Sequence, residues 1–213
     1  MKHPSGRDPT RDPSMLIDTA TELGIDLDGN QAEALLSFER LLLDRAIPLG
    51  LLARGDRTTV RERHILDSMR AVQALEATDT DALDLGSGAG LPGIVVAIAR
   101  PSLQVGLVEP RRRRVAFLEL AVERLGLPNV AVLALPAGRL EAEVDICFAR
   151  ALAALSEAWE LARHLLRPGG RLVYFGGQGF RKPDRMPPDN SSFHVLRSPA
   201  LASSGPLVIM TRQ

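Results

Sequence analysis

The sequence predicts an α/β protein whose sheet is mostly parallel, and two observations carry this prediction. From Asp81 onward, short apolar runs alternate with amphipathic helical stretches, which is typical of parallel strands joined by crossover helices. The first of these runs leads through a glycine-rich turn directly into an apolar helix at residues 94–99. Seven strands fit this pattern, so the predicted architecture is a Rossmann-like, seven-stranded sheet.

The chain divides into three parts where its pattern changes. Residues 1–13 are polar, contain Arg, Asp and Pro, and are expected to form a disordered tail. Residues 14–78 show helical periodicity and are expected to form an N-terminal cap. Residues 79–213 carry the strand pattern, and we expect the cap and this domain to form one compact unit.

Three helices are predicted in the cap, at residues 14–23, from residue 30 to the end of an apolar stripe at residue 42, and at residues 59–75. Ser14 is expected to cap the first helix. Gly24 is expected to end it, since glycine readily takes the left-handed conformation of a helix end. Asn30 with Glu33 has the spacing of a capping arrangement for the second helix.

Strands are predicted at residues 82–85, 104–109, 130–134, 144–149, 171–175, 193–197 and 207–212, the last two as an antiparallel hairpin at a sheet edge. Helices are predicted from Pro110 to Arg124 and at residues 153–166, and a loop at residues 178–192. In such a sheet the ligand lies beyond the carboxyl ends of the strands, so residues that end a strand are the candidates for a site.

The turn after the first strand reads D-L-G-S-G-A-G-L-P-G, and its glycines leave free amide groups at the positive end of a helix dipole. Gly88-x-Gly90-x-x-Gly93 matches the dinucleotide fingerprint, with Glu109 at the distance of a ribose contact. Asp84 favours a different ligand, because a carboxylate at the mouth of the turn would repel a pyrophosphate. It suits the ammonium and sulfonium of S-adenosylmethionine, with a nicotinamide or flavin site and a purely structural turn as the alternatives.

Two motifs resemble those of class I methyltransferases. D-x-G-x-G-x-G is similar to their first motif, and L-R-P-G-G-R-L at residues 166–172 is similar to the turn before their fifth strand. The resemblance implies the class I fold and S-adenosylmethionine as cofactor. Asp84 and Gly88 would then contact the cofactor, and Glu109 would accept hydrogen bonds from both ribose hydroxyls at the end of strand two.

The residues around strand four bear on the methyl acceptor. The N/D-P-P-Y/F motif of base amino-group methylation is replaced by F-A-R-A-L-A-A-L at residues 148–155. Cys147, the only cysteine, lies inside the predicted strand, so it is expected in the core and not as the nucleophile that pyrimidine C5 methylation needs. An acceptor that is already nucleophilic remains, such as guanine N7, whose methylation can rest on proximity and alignment.

Composition limits the partners only weakly. A net charge of zero and a pI near 6.9 give no global basic field of a nucleic-acid binder, although a sum does not reveal a local patch. The run Arg111–Arg114 is interpreted as a solvated helix face, with an RNA clamp as the alternative.

A single cysteine provides neither a disulfide framework nor a cysteine metal cluster, and no metal is expected. No apolar run has the length of a membrane helix and the N-terminus lacks a signal sequence, so a cytoplasmic protein without membrane contact is expected.

Four segments together resemble the RsmG family, also called GidB: R-H-I-L-D-S at residues 63–68, L-D-L-G-S-G-A-G-L-P-G at 83–93, R-R-V-A-F-L at 113–118 and A-R-A at 149–151. That family methylates guanine N7 in the 530-loop region of 16S rRNA within the small ribosomal subunit. The resemblance therefore implies an enzyme with 16S rRNA as its partner, and we expect a monomer.

The resemblance also assigns residues. The cofactor contacts that it implies are Gly86, Leu91, Leu140, Glu141 and Arg150. Arg150 is the candidate that bridges the cofactor and acceptor pockets, and no general base is assigned. Arg63, His64 and Asp67 would face the cleft and meet the RNA. The alternative for His64 and Asp67 is a polar pair that ties the cap to the sheet.

Two stretches depart from the family pattern. The family's W-N-x-x-Y/F-N-L-T stretch reads R-A-I-P-L-G-L-L at residues 45–52, and its K-G-Q reads G-G-Q at residues 176–178. Both lie on the side where the resemblance places the substrate. A methyltransferase for another acceptor and a ribosome-associated S-adenosylmethionine-binding protein without transfer activity are therefore the alternative functions, with a nicotinamide enzyme as a further one.

Overall fold

The computed structural model describes residues 12–182, 190–201 and 204–213 and contains one sheet of seven strands. The strands are β1 Asp81–Leu85, β2 Gln104–Val108, β3 Val130–Leu133, β4 Val144–Arg150, β5 Leu166–Phe175, β6 Asn190–Leu196 and β7 Leu207–Arg212. Their order is β3-β2-β1-β4-β5-β7-β6, in which the first five are parallel and β7 pairs antiparallel with both β5 and β6. The predicted mostly parallel, seven-stranded sheet is confirmed, and so is the antiparallel hairpin at its edge.

The α-helices are α1 Pro13–Glu22, α2 Gly29–Leu41, α3 Asp67–Met69, α4 Gly93–Ala99, α5 Arg112–Leu125 and α6 Leu155–Arg163. Leu42–Ala46 and Arg61–Leu66 are π-helical, and Arg54–Thr58, Arg70–Ala74, Ala137–Arg139 and Pro199–Leu201 are 3₁₀-helical. Within the described residues, no helix is long and apolar enough to cross a membrane.

Both predicted caps of the first two helices were wrong by two residues. Asp12 caps α1 by accepting a hydrogen bond from the Ser14 N–H at 3.0 Å, so the helix already begins at Pro13. Asp28 and Gln31 form the capping box of α2, with bonds of 2.7 and 2.8 Å. The Gln31 amide also donates to the carbonyls of Ile98 and Ala99, which fixes the start of α2 against the end of α4.

A tail was predicted at residues 1–13, and positions 1–11 of it lie outside the described residues. Its last two residues, Asp12 and Pro13, belong to the start of α1. Gly24 has φ +71° and follows α1, as predicted for a helix end. The predicted loop at 178–192 lies outside the described residues at positions 183–189, and β6 begins within its last residues.

The third predicted helix, residues 59–75, is a continuous helical path of changing pitch. It passes from the π-helical Arg61–Leu66 through α3 to the 3₁₀-helical Arg70–Ala74. Its inner face carries polar side chains among apolar ones, since His64, Asp67 and Arg70 are all buried. Short π-helical stretches are uncommon and often accompany functional sites.

Strand β5 begins five residues earlier than predicted, because the L-R-P-G-G stretch forms a bulge in the strand. Val144 pairs with Leu166, and the next pair is Ile146 with Arg171, so the chain of β5 loops out between these pairs. Gly169 takes φ +81° in this bulge, which the missing side chain permits.

Successive residues of a strand point to opposite faces of the sheet, so the strands contribute side chains to two separate cores. One core joins the cap, α4 and α5 to one face of the sheet, and it contains Phe38, Ile65 and Leu107. The other lies between α6 and the opposite face. It contains Trp159 and the fully buried Cys147, so the interpretation of this cysteine as a core residue is confirmed. The cap helices thus share an apolar core with the sheet.

Candidate functional site

The carboxyl ends of three neighbouring strands meet at one edge of the sheet. In the parallel register Leu85 of β1 pairs with Val108 of β2 on one side and with Ala149 of β4 on the other. The residues that follow this row are Gly86, Glu109 and Arg150. Three of the residues singled out in the sequence therefore lie side by side where a sheet of this kind binds its ligand.

The glycine turn begins with two backbone bonds to β2, since the amides of Gly86 and Ser87 donate to the Val108 carbonyl at 2.8 and 3.1 Å. Gly86, Gly88 and Gly90 all have positive φ, at 73°, 58° and 83°. A Cβ on Gly90 would lie 2.4 Å from the Ile94 side chain, so this position needs glycine for space as well as for conformation.

Asp84 lies beneath this turn and is 1% exposed. Its Oδ2 accepts a hydrogen bond from the Gly93 N–H at 3.0 Å, at the first residue of α4. Its Oδ1 is buried and has no hydrogen-bond partner among the described residues. Burial raises the pKa of Asp84 to about 7. A buried carboxylate oxygen without a donor is costly, and a cationic or N–H-bearing ligand would satisfy it.

Glu109 is also 1% exposed and is held mainly by backbone donors. Its Oε2 accepts from the Gly88 N–H at 3.1 Å and its Oε1 from the Arg111 N–H at 3.0 Å. The Arg114 guanidinium lies 3.3 Å from Oε2. The carboxylate therefore links the end of β2 to the glycine turn, and each oxygen accepts up to two hydrogen bonds.

The other predicted cofactor residues are spread over two places. Leu91 is buried within the glycine turn and packs in the core shared with the cap. Leu140 and Glu141 lie on the connection between β3 and β4, after the 3₁₀ turn Ala137–Arg139. Leu140 is half-buried against the second core, and Glu141 is exposed.

Arg150 ends β4, and its guanidinium contacts the R-H-I-L-D-S segment of the cap. Its Nη1 donates to the Ser68 hydroxyl at 3.1 Å, and its Nη2 donates to the Arg63 carbonyl at 2.6 Å. Nη2 also lies 3.2 Å from the Asp67 carboxylate. Burial lowers the pKa of the guanidinium, which Asp67 partly offsets. The ring of Phe175 lies 5.6 Å from the guanidinium carbon, a cation–π contact from the end of β5.

Asp67 connects two arginines. Its Oδ2 faces Arg150, while its Oδ1 accepts from the Arg70 Nε at 3.1 Å and also contacts the Arg70 Nη2. Arg70 is 2% exposed, so this pair is buried between the cap and the sheet. The structure brings Arg150 together with Arg63, His64 and Asp67, the three residues that the resemblance assigns to the cleft.

His64 lies between Arg150 and a carboxylate that the sequence analysis did not select, Asp56. The His64 Nδ1 is 3.2 Å from the Arg150 Nη2, and its Nε2 is 3.2 Å from Asp56 Oδ2. Burial and the charge of Arg150 lower the pKa of His64, against the opposing effect of Asp56. Both ring nitrogens thus have partners on the cap–sheet boundary, which agrees with the tying role considered for His64 and Asp67.

Four residues of the site were missed: Asp56, Ser68, Arg70 and Phe175. Asp56 is 7% exposed although it lies in the 3₁₀-helical Arg54–Thr58, between the predicted helices, where no periodicity marks a buried face. Ser68 and Arg70 stand in and just after the R-H-I-L-D-S motif, so that motif was the available signal for them. Phe175, as the last residue of a predicted strand, was marked only by its position.

The arginine run at the start of α5 divides in two. Arg111, Arg112 and Arg113 are exposed, as expected for a solvated helix face. Arg114 is half-buried and pairs with Glu109, so the guanidinium nearest the turn neutralises a buried carboxylate. The three exposed residues start α5 at the same edge of the sheet as the glycine turn.

This arrangement fits S-adenosylmethionine better than a dinucleotide. The unpaired Oδ1 of Asp84 suits an ammonium group, and the glycine turn allows a ligand to approach the backbone closely. A pyrophosphate would meet two buried carboxyl groups, those of Asp84 and Glu109, at the same turn. Within the described residues, no cluster of three or more His, Cys, Asp or Glu side chains could hold a metal ion.

Comparison with known proteins agrees with this geometry. The sequence model of the GidB family, described as rRNA small subunit methyltransferase G, matches residues 31–195. A ribosomal RNA small subunit methyltransferase G from Mycobacterium leprae (strain TN) is 38% identical over 170 residues, which span 76% of this chain and 67% of that protein. One from Neisseria meningitidis serogroup A is 33% identical over 200 residues, spanning 90% of this chain and 94% of that protein.

Solved structures resemble the fold. A SAM dependent methyltransferase from Aquifex aeolicus superimposes with a TM-score of 0.56 at 16% identity, covering 75% of this chain and 96% of that one. At such low identity the likeness concerns the fold alone. The strand order and the antiparallel β7 are thus those of a class I, Rossmann-like sheet, as predicted.

Proposed function

This chain belongs to the GidB family of rRNA small subunit methyltransferase G proteins, and from this premise we propose its activity. It transfers a methyl group from S-adenosylmethionine to N7 of one guanosine in the 530-loop region of 16S rRNA. The small ribosomal subunit is the substrate particle, and the protein acts as a monomer. The observation that carries the proposal is the buried Oδ1 of Asp84, which has no hydrogen-bond partner in the part of the chain that the structure describes and lies beneath a glycine turn. Asp84 is on β1, and Arg150 ends the neighbouring strand β4.

When bound, S-adenosylmethionine supplies an electrophilic methyl group on its sulfonium. Asp84 would accept a hydrogen bond from its ammonium through Oδ1, and Glu109 would accept a ribose hydroxyl at the one acceptor position that Gly88, Arg111 and Arg114 leave free. Leu91 lies within the turn, and Leu140 and Glu141, on the connection between β3 and β4, would hold the adenine. Asp84 and Glu109 come from neighbouring strand ends that the register brings side by side, and Leu140 and Glu141 come from the connection that follows β3.

Guanine N7 has a free lone pair, so its methylation needs no general base and depends on alignment with the methyl–sulfur bond. The site supports this chemistry. His64 is the histidine in the site, and its lowered pKa makes it neutral. Both of its ring nitrogens already have partners, so neither is free to act as a general base. Arg150 joins the cap to the end of β4, beside the strand that carries Asp84, and orients the acceptor relative to the cofactor. The exposed Arg111, Arg112 and Arg113 contact RNA phosphates beside the turn.

One observation favours a different acceptor as the second candidate. Gly176 replaces the lysine of the family pattern, and a Cβ there would lie 3.0 Å from the Phe180 ring. The Gly176 N–H also donates to the Pro206 carbonyl at 2.9 Å. A side chain at this position would require Phe180 to shift by a few tenths of an ångström, so the loss of the lysine and the close packing of Phe180 coincide on the proposed substrate side.

Methyl transfer to small ribosomal subunits tests the proposal. Subunits from a strain that lacks its own enzyme are incubated with radiolabelled S-adenosylmethionine, and the labelled nucleotide is mapped. Label at a single guanine N7, lost in Arg150→Ala and kept in Arg124→Ala, supports the proposal. Arg124 is the matched control because it is an exposed arginine at the far end of α5. Cofactor binding without label on any RNA contradicts rRNA methylation and leaves the other candidate.

A further inference from the structure

A row of three side chains runs from the cap to the end of β4. Asp56 Oδ2 lies 3.2 Å from the His64 Nε2, and the His64 Nδ1 lies 3.2 Å from the Arg150 Nη2. Asp56 and His64 are 7% and 8% exposed, so water competes little for these contacts. Asp56 also accepts a hydrogen bond from the Arg63 Nη1 through its other oxygen, at 2.5 Å.

Only one distribution of protons satisfies this row. A guanidinium has donors and no acceptor, so the His64 Nδ1 facing Arg150 must be the acceptor. The single ring proton of neutral His64 then lies on Nε2, where the Asp56 carboxylate accepts it. The carboxylate therefore selects the tautomer that Arg150 requires, although it does not contact Arg150 in the row.

We propose that Asp56 is a positioning residue for Arg150, which it holds in place by fixing the tautomer of His64 and the position of Arg63. The inference rests on the proposed function in so far as Arg150 serves the cofactor and the acceptor. Asp56 itself contacts neither, since it lies behind His64 as seen from the strand ends.

The contacts of Arg150 explain why this position matters. Its polar partners Arg63, His64, Asp67 and Ser68 all belong to one short segment of the cap. Asp67 is held from one side by Arg70, and Arg63 and His64 are held from the other by Asp56. Loss of Asp56 releases the half of the segment that supplies a carbonyl and a ring nitrogen to the guanidinium.

Asp56→Asn tests the inference because it changes one acceptor into a donor with little change of shape. Arg63 can only donate, so the Asn oxygen turns to Arg63 and the Asn amide turns to His64. The His64 Nε2 must then accept, and its proton moves to Nδ1, opposite the donors of Arg150. We expect the His64 tautomer to switch and Arg150 to lose its place.

A second variant makes the test specific. In Asp56→Asn with Arg63→Met, the Asn oxygen is free to face His64, and Arg150 again selects the tautomer with the proton on Nε2. Arg63→Met alone keeps the wild-type tautomer. Asp44→Asn is the matched control, since it removes one acidic charge from an exposed position of the cap.

The tautomer is read by ¹H–¹⁵N correlation spectra of protein labelled at its four histidines, with His64 assigned from a His64→Gln sample. In Asp56→Asn we expect the proton on Nδ1 and a methyl-transfer kcat reduced by about 10-fold to about 100-fold, the range of a misplaced reacting group. The KM for the subunit changes less, because Asp56 does not meet the RNA. Asp44→Asn retains wild-type spectra and kcat.

An unchanged His64 tautomer in Asp56→Asn overturns the inference, and so does a switched tautomer with an unchanged kcat. If the wild type labels no RNA, the proposed function fails. The positioning role of Asp56 is then tested by measuring the affinity for S-adenosylmethionine instead of kcat. In that case a switched tautomer with weakened cofactor binding, both restored by Arg63→Met, supports the positioning role independently of the acceptor.

Discussion

The two sides of the cleft are held together by different kinds of bonds. On the cofactor side, the carboxylates of Asp84 and Glu109 accept mainly backbone N–H groups from Gly88, Gly93 and Arg111. On the cap side, Arg150 is held mostly by side chains that lie about 86 positions earlier in the chain. The first side therefore depends on backbone shape, and the second depends on charge and proton placement.

This difference predicts that added side-chain bulk reduces function most on the cofactor side. On the cap side, even a substitution that keeps the charge should reduce function. Glycines with positive φ leave no room for adjustment, because both the backbone conformation and the space are used. A guanidinium with several partners loses its geometry even when its charge is kept.

The largest effect is expected from Gly90→Ala. Its φ of +83° costs about 1–2 kcal/mol for a non-glycine residue, and the clash with Ile94 adds about 1–3 kcal/mol of overpacking. We expect loss of S-adenosylmethionine binding in calorimetric titration and a lower free energy of unfolding in urea.

Gly24→Ala is the control for Gly90→Ala. Gly24 has φ +71°, and a Cβ there would have nothing within 4 Å. This variant shares the backbone cost without the clash and keeps cofactor binding. Equal stability losses in the two variants would show that space at the turn is not limiting.

The next effect is expected from Arg150→Lys, which keeps the charge but not the fork that reaches Ser68 and Arg63 together. We expect methyl transfer to fall by about 100-fold because the acceptor is misaligned. The affinity for S-adenosylmethionine changes by no more than about tenfold, the upper value of one ordinary hydrogen bond. A lysine variant with wild-type kcat would show that the cap side depends on charge alone and not on the geometry of the guanidinium contacts.

Asp84→Asn separates stability from binding on the cofactor side. The raised pKa of about 7 means that folded Asp84 keeps its proton at pH values where the unfolded carboxyl has lost it. Wild-type stability attributable to this group therefore falls as pH rises from about 4 to about 7. The asparagine variant lacks this dependence, and at pH 8 we expect it to be more stable than the wild type by up to roughly 4 kcal/mol in urea unfolding.

The same variant binds S-adenosylmethionine more weakly, since it lacks the carboxylate for the ammonium. Cofactor binding to the wild type near pH 7 should release protons, because a cation beside Asp84 lowers its pKa. Calorimetry in buffers of different ionisation enthalpy measures this release. Identical proton release in Asp84→Asn would place the titrating group elsewhere.

The smallest effect is expected outside the cleft, from Arg112→Ala with Arg113→Ala. These exposed arginines flank the turn, and we expect weaker binding to small subunits with a salt dependence reduced by about one unit per lost phosphate contact. S-adenosylmethionine affinity stays unchanged, and Arg124→Ala serves again as the control. If the salt dependence of subunit binding stays at the wild-type value, these arginines do not contact RNA phosphates and are only a solvated helix face.

Much of the cofactor side was predictable from the sequence because its parts are close in the chain. The turn from Asp84 to Gly93 spans a single strand end and helix start, so its glycine spacing already specifies positive φ and close approach. Glu109 and Arg150 followed from a general rule about strand ends. The class I sheet was predictable for the same reason, since alternating strands and helices leave few topologies.

The helix caps show where local patterns fail. Asn30 with Glu33 and Asp28 with Gln31 have the same spacing, so spacing alone cannot choose between them. The choice is made by the Gln31 amide, which donates to carbonyls at the end of α4. That contact depends on how the cap packs on the sheet.

The sequence by itself determined the α/β class, the glycine turn and the strand ends that carry the candidate cofactor residues, because backbone conformation and hydrophobic period are local properties. Only the tertiary structure decided that His64 lies between Arg150 and Asp56, and that Asp84 keeps one oxygen without a partner among the described residues. Burial, proton placement and hydrogen-bond partners depend on residues far apart in the chain, and these become neighbours only when the cap packs against the sheet.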